Sequence, residues 1–238
     1  MYTSELKNLE YSATIARKLA TVHQLNVPIN KQGSWLFDTM KDWLNIVRTG
    51  NLDGAPSPEI GRNLVTFDFE SEIESLKRIL EQVESPIVFC HNDLQEGNIL
   101  LPSDPKMLNS SRISDSHIVF IDFEYCAYNY RGFDLGNHFC EHMINYSSDE
   151  WPHFLVDESA WPTDEEMAKF AKEYLKQSIQ LKCYGPIDTE EHLVMEANVY
   201  SLASHLLWSL WSINNARSSK IVFGYWVCTL YFFFAKIF

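Results

Sequence analysis

The segment His91-Asn92-Asp93-Leu94-Gln95-Glu96-Gly97-Asn98, followed further on by Asp122-Phe123-Glu124, concentrates the groups in this chain that could do chemistry. A loop leaving a strand can aim Asp93 at an incoming hydroxyl, while Asn98, five positions later, turns back toward a cation held by Asp122 on the neighbouring strand. One carboxylate then serves the proton and the other serves the metal. That division suits phosphoryl transfer, where in-line positioning and charge neutralisation matter more than covalent help from protein. Asp93 is the candidate base, Asn98 and Asp122 are candidate magnesium ligands, and Glu124 could add a carboxylate to the metal shell. The plainer alternative makes Asp93 and Asp122 turn caps beside two strands. The pairing of the spaced loop with a second strand ending in Asp counts against it.

The elements around this segment are mostly helical. Ile15, Ala16, Leu19, Ala20 and Val22 fall at helical spacing and stop before Pro28, and Trp35, Leu36, Met40, Trp43, Leu44 and Val47 form a second stripe. Positions 50 to 61, with three glycines and two prolines, read as a loop, after which 70 to 83 resumes a helical pattern. Short β-branched or apolar runs at 87–90, 99–101 and 117–122 predict strands, with a polar hairpin loop over 103–116. Helices are predicted again over 135–146, over 165–181 behind a Thr163/Glu166 capping box, and over 190–215. The expected class is α+β, mostly helical, wrapped around a small β hairpin region that carries the unusual residues.

Composition narrows the function. With 46% apolar residues among 238, the chain can bury a real core, and 19 Lys and Arg against 32 Asp and Glu give a net charge of -13. That field repels nucleic acid and favours small cations near the surface. Cys90, Cys126, Cys140, Cys183 and Cys228 are scattered without a C-x-x-C spacing, so neither a disulfide framework nor a zinc site is indicated, and a reducing, cytoplasmic setting is the expectation. No apolar stretch of signal-peptide length opens the chain. The run from Ile221 to Phe238 carries a single charge, Lys236; it could anchor in a bilayer or pack as a terminal helix, and packing is the expectation. His138, Cys140, Glu141 and His142 could offer one side of a metal shell, but the surrounding aromatics favour packing there too.

The central loop follows the protein-kinase pattern H-R-D-L-x-x-x-N with Asn92 in place of Arg, and Asp122-Phe123-Glu124 stands where D-F-G would lie. His91 in such a loop holds it to the core by hydrogen bonds. Pro86 to Leu101, Ile121 to Asp134, Gly136 to Glu141 and Ala203 to Ser212 together closely resemble the choline/ethanolamine kinase family, over about Ser12 to Tyr225. The resemblance implies the C-terminal lobe of a eukaryotic-protein-kinase-like fold. It also implies ATP- and Mg2+-dependent phosphorylation of choline, the first step toward phosphatidylcholine, with ethanolamine often accepted. It assigns a cation cage to Tyr125, Glu141, Tyr146, Trp208, Trp211 and Phe223, with Gln95 following the base. A quaternary ammonium donates no hydrogen bonds and is best held over aromatic faces, and Trp208 and Trp211 lie three apart on one predicted helix. An aromatic core stripe is the alternative for that pair.

Two departures from the family pattern shape the expectations. Family members carry about a hundred further residues, a length typical of one domain, ahead of the position matching Ser12. These form a β-rich lobe with a nucleotide-covering loop and a phosphate-binding lysine; no G-x-G occurs in this chain. The expected organisation is therefore residues 1–225 as the substrate and catalytic lobe, 226–238 as a divergent apolar tail, and no nucleotide lobe, with activity impaired in consequence. Cys228 stands where the family places a further cage tyrosine. The alternatives are a non-catalytic choline-binding fragment, forming a homodimer or a heterodimer with a full-length kinase, and a related kinase acting on ethanolamine or an aminoglycoside.

Overall fold

A computed structural model describes residues 1–49, 58–101 and 118–235. A one-turn helix α1 (Thr3–Leu6) leads into α2 (Leu9–His23), whose N-terminus is capped by the Asn8 side chain, and α3 (Trp35–Thr49) carries the second apolar stripe. Helix α4 (Pro58–Thr66) replaces the second part of the expected loop. Proline at a first helical position loses no intrahelical bond, and Leu64 buries against α3, so 58–61 is helical despite Gly61. The rest of that loop, 50–57, and the polar loop 103–116 lie outside the described residues. Helix α5 (Phe69–Leu80) starts at an Asp68 cap.

Three antiparallel strand pairs follow. Strand β1 (Ile87–Cys90) pairs with β4 (Ala127–Tyr130), β2 (Ile99–Leu100) with β3 (Val119–Phe120), and β5 (Ile144–Asn145) with β6 (Leu155–Val156). The β2/β3 pair is the expected hairpin; β4 was not expected, and it supplies the partner that fixes β1, the strand that leads into the loop carrying Asp93. Helix α6 (Arg131–Glu141) begins and ends earlier than the periodicity indicated, because 144–145 turns outward to pair with β6. Helix α7 (Asp164–Gln180) opens on the reciprocal Thr163/Glu166 capping box. The 29-residue α8 (Glu190–Ser218) and α9 (Tyr225–Ala235) complete the chain.

Helix α8 is the axis of the molecule. Leu193 and Ala197 join the core beneath α2 and α7, Leu206, Leu207, Leu210 and Ile213 join the core under α3 and α5, and Trp208 enters a third cluster with Cys228 and Phe232 of α9. A Cβ on Gly136 would lie 2.6 Å from the Ala197 carbonyl oxygen and 2.7 Å from the Ser201 nitrogen, so α6 and α8 touch backbone to backbone. Arg131 at the head of α6 is locked by both oxygens of buried Glu196 and by Asp188. Within the apolar run, α9 packs with Trp226, Cys228, Thr229 and Phe232 buried. Among the described residues no helix is long and apolar enough to cross a membrane.

Candidate active site

The loop between β1 and β2 is held from behind by one buried carboxylate. Asp134 of α6 accepts the backbone N–H groups of His91 and Asn92, each at 2.8 Å, and binds His23 at 2.9 Å. Burial alone would raise its pKa, but the bonds from His23 and His91 prevail and hold it below the ordinary carboxylate value. Asn92 adopts φ 67°, and its side chain donates to the Tyr125 carbonyl (2.8 Å) and accepts from Asn129 of β4 (2.8 Å). His91 contacts the Ile121 carbonyl through Nε2 (2.9 Å) and accepts the Asp93 N–H at Nδ1 (3.3 Å). With both ring nitrogens occupied, His91 fastens the loop, as expected.

Asp93 emerges half-buried at the cavity wall. Burial drives its pKa up to about 7, with Asp122, Glu124 and Asp134 adding repulsion that the Asn98 hydrogen bond only partly offsets. The Asn98 amide nitrogen donates to both the backbone oxygen (2.8 Å) and Oδ2 (3.0 Å) of Asp93, which leaves its carbonyl oxygen as the end available to a cation. Asn98 is buried behind Asp93 and does not line the cavity. Asp122, at φ 61° and exposed, stands at the mouth beside Glu124. Left-handed backbone at both Asn92 and Asp122 is tolerated because short polar side chains suit that region, and it marks a site whose geometry outranks local comfort.

A cavity of about 460 Å³ joins these acids to a box of rings. Asp93, Gln95, Asp122 and Glu124 line one side; Tyr125, Glu141, Tyr146, Trp208, Trp211 and Phe223 line the other. Trp208 meets Tyr125 edge-on at 5.5 Å and Trp211 at 5.6 Å, and the Trp211 Nε1–H donates to the Tyr125 hydroxyl at 3.0 Å. Glu141 is buried with Oε2 unpartnered; burial pushes its pKa well up, and Asp93 and Glu96 push it further. No lysine, arginine or histidine stands among the described lining residues. Ile221, Tyr225, Cys228 and Phe232 also line the cavity and were not singled out as a set; only Cys228 had a motif position to suggest it.

Other cysteine and histidine groupings hold the fold. His138 Nδ1–H donates to the Leu94 carbonyl (3.0 Å), and its ring packs edge-on against His142 at 5.3 Å. Among the described residues only His23, Cys90 and Asp134 bring three potential ligand atoms together. Their atoms are already committed: His23 to Tyr174 and Asp134, Asp134 to the loop, Cys90 to the Asn129 and Tyr130 carbonyls.

The choline/ethanolamine kinase family model matches residues 1–231. The chain belongs to that family. It is similar to a human choline/ethanolamine kinase, with 41% identity over 226 residues covering 94% of this chain and 55% of the relative. A mouse choline kinase alpha matches at 40% with 94% and 49% covered, and a probable ethanolamine kinase A of Dictyostelium discoideum at 37% with 89% and 54% covered. The chain therefore spans about half the length of these curated relatives. In fold it is similar to a choline kinase from Cryptosporidium parvum, with a TM-score of 0.78, 22% identity, and coverage of all of this chain and 66% of that one. A Plasmodium vivax ethanolamine kinase gives 0.77 at 23% identity, covering 62% of that chain. The choline/ethanolamine kinases are phosphotransferases that use ATP, and the family match runs past Tyr225 into α9, so it includes the helix that closes the cavity.

Proposed function

We propose that the protein transfers the γ-phosphoryl group of ATP to the hydroxyl of choline, giving phosphocholine for phospholipid synthesis, with ethanolamine as the competing substrate of the same cavity. The observation that carries this reading is one cavity lined by the Asp93 carboxylate and by a ring box that contains a single buried acid, Glu141. A cation without N–H groups gains most from ring faces and a nearby negative charge, and the walls supply both. Choline's ammonium would sit against Trp208, Trp211 and Tyr125, with its hydroxyl toward Asp93; the bound cation would draw down the raised pKa of Glu141 and so make that carboxylate its counter-charge.

Asp93 takes the hydroxyl proton as the oxygen attacks the γ-phosphorus and ADP leaves. Asn98 orients that carboxylate through its amide, and His91 and Asp134 hold the loop that carries it. The Asp122 and Glu124 carboxylates at the cavity, with the Asn98 carbonyl set back behind Asp93, offer only oxygen, which fits Mg2+, and the ion when bound would supply neutralisation of the phosphate charge. The test is phosphocholine formation from ATP and choline, beside calorimetry with choline alone. Turnover that Asp93→Asn abolishes, with choline binding kept, supports the reading. Turnover indifferent to that substitution would remove Asp93 from the mechanism, and choline binding without any turnover in the unaltered chain would favour a binding role.

A further inference from the structure

Resting on the functional reading above, we infer that Asn137 is a positioning residue for substrate: it fixes the indole of Trp208 against the cavity and so sets affinity for the cation without touching it.

Trp208 is the hub of the ring box. It packs on Tyr125 at 88° and Trp211 at 85°, and meets Trp43 of α3 at 6.3 Å and 44°. Its one polar atom, Nε1–H, donates to Asn137 Oδ1 at 2.6 Å. The same oxygen accepts from Ser204 Oγ at 2.8 Å. Two donors converging on one atom allow a single amide orientation, because the flipped amide would set N–H against N–H. The consequence is visible on the other side of the group: Asn137 is fully buried and its Nδ2 has no hydrogen-bond partner. The unpartnered Nδ2 is a cost of burial, and what offsets it at this position is the acceptor that Oδ1 gives to the buried Trp208 and Ser204 donors.

The backbone under Asn137 is correspondingly rigid. Gly136 brings α6 into backbone contact with α8, the helix that bears Trp208, and His138 binds the Leu94 carbonyl of the base-bearing loop at 3.0 Å. Three consecutive residues thus set a spacing, an indole and a loop, which keeps the ring box in register with Asp93. Loss of the Asn137 oxygen frees the indole to tilt toward its aromatic neighbours and away from the substrate.

The experiment measures choline and Mg-ATP affinity by calorimetry on the full chain for wild type, Asn137→Ala, Trp208→Phe and the double variant. The expected result is about tenfold weaker choline binding in Asn137→Ala with Mg-ATP affinity unchanged, and less than a twofold further loss when Asn137→Ala is added to Trp208→Phe. Unchanged choline affinity in Asn137→Ala, or a full additional tenfold loss on the Trp208→Phe background, overturns the proposal. Should Asn137→Ala not fold, Asn137→Asp keeps both acceptor bonds: wild-type choline affinity upholds the role, and affinity weakened tenfold overturns it. A wild-type chain that shows no heat with choline overturns the functional reading and this proposal with it, which separates the two failures.

Discussion

The two walls of the cavity are fastened by different forces. The base-bearing loop hangs on directional bonds to buried polar groups: Asp134 to two backbone N–H groups, His91 to Ile121, Asn92 to Tyr125 and Asn129. The opposite wall is built from rings in edge contact on α8 and α9, with two indole N–H bonds to orient them. Directional bonds place an atom closely but fail together when one partner is lost, because the others are left unpaired in a dry site. Ring packing is non-directional and fails by degrees. On the proposed function, chemistry falls to the stiff wall and recognition to the adaptable one.

The contrast is broken most readily at Asp134. Asp134→Ala leaves the His91 and Asn92 N–H groups and His23 without their partner, and the expected loss is about 3–5 kcal/mol of folding stability, read by denaturant titration. A loss under 1 kcal/mol would show that the loop is not held as described. Next comes Asp93→Asn, expected to cut turnover about 10²–10⁴-fold with choline affinity within a few fold, measured by steady-state kinetics and calorimetry. Trp208→Ala should do the reverse, weakening choline about 30-fold at little cost to Mg-ATP binding, the size of one desolvated cation–π contact. A variant on either wall that moved both readouts equally would erase the distinction.

The smallest effect is a pH signature. Asp93 in the folded, metal-free chain has a pKa of about 7 against an ordinary value of 3.8. Below pH 4 both states are protonated and nothing is lost; between 4 and 7 the unfolded chain releases a proton that the folded chain keeps, so this residue's contribution to stability falls as pH rises. Asp93→Asn should therefore melt like wild type near pH 4 and be more stable near pH 8, by on the order of 2 kcal/mol. A difference of equal size at both pH values would mean that the shift is not the cause.

The loop acids and the tryptophans that line the cavity were legible because they sit in local patterns. His91 to Asn98 and Asp122 to Glu124 carry their meaning in short spacing, and the tryptophan pair stands one helical turn apart. The supports were not legible, because they are bonds between distant positions: Asp134 reaches His91 across 43 residues, and Asn137 reaches Trp208 across 71. Strand β4 escaped notice because Asn129 interrupts its aromatic pattern, yet that asparagine is what binds Asn92. The end of α6 was misplaced because Met143 and Ile144 continue an apolar helical rhythm, while pairing of 144–145 with β6 overrides it. The apolar run after Ile221 is hydrophobic on every side, so periodicity could not separate lipid from core; contact with α8 does.

That contact has a consequence for engineering. Cys228 and Phe232 reach the cavity from α9, a segment that bears none of the groups assigned to proton or phosphate. On the proposed function, enlarging or trimming side-chain volume there should shift preference between bulkier and slimmer amino alcohols while the Asp93 loop stays as it is.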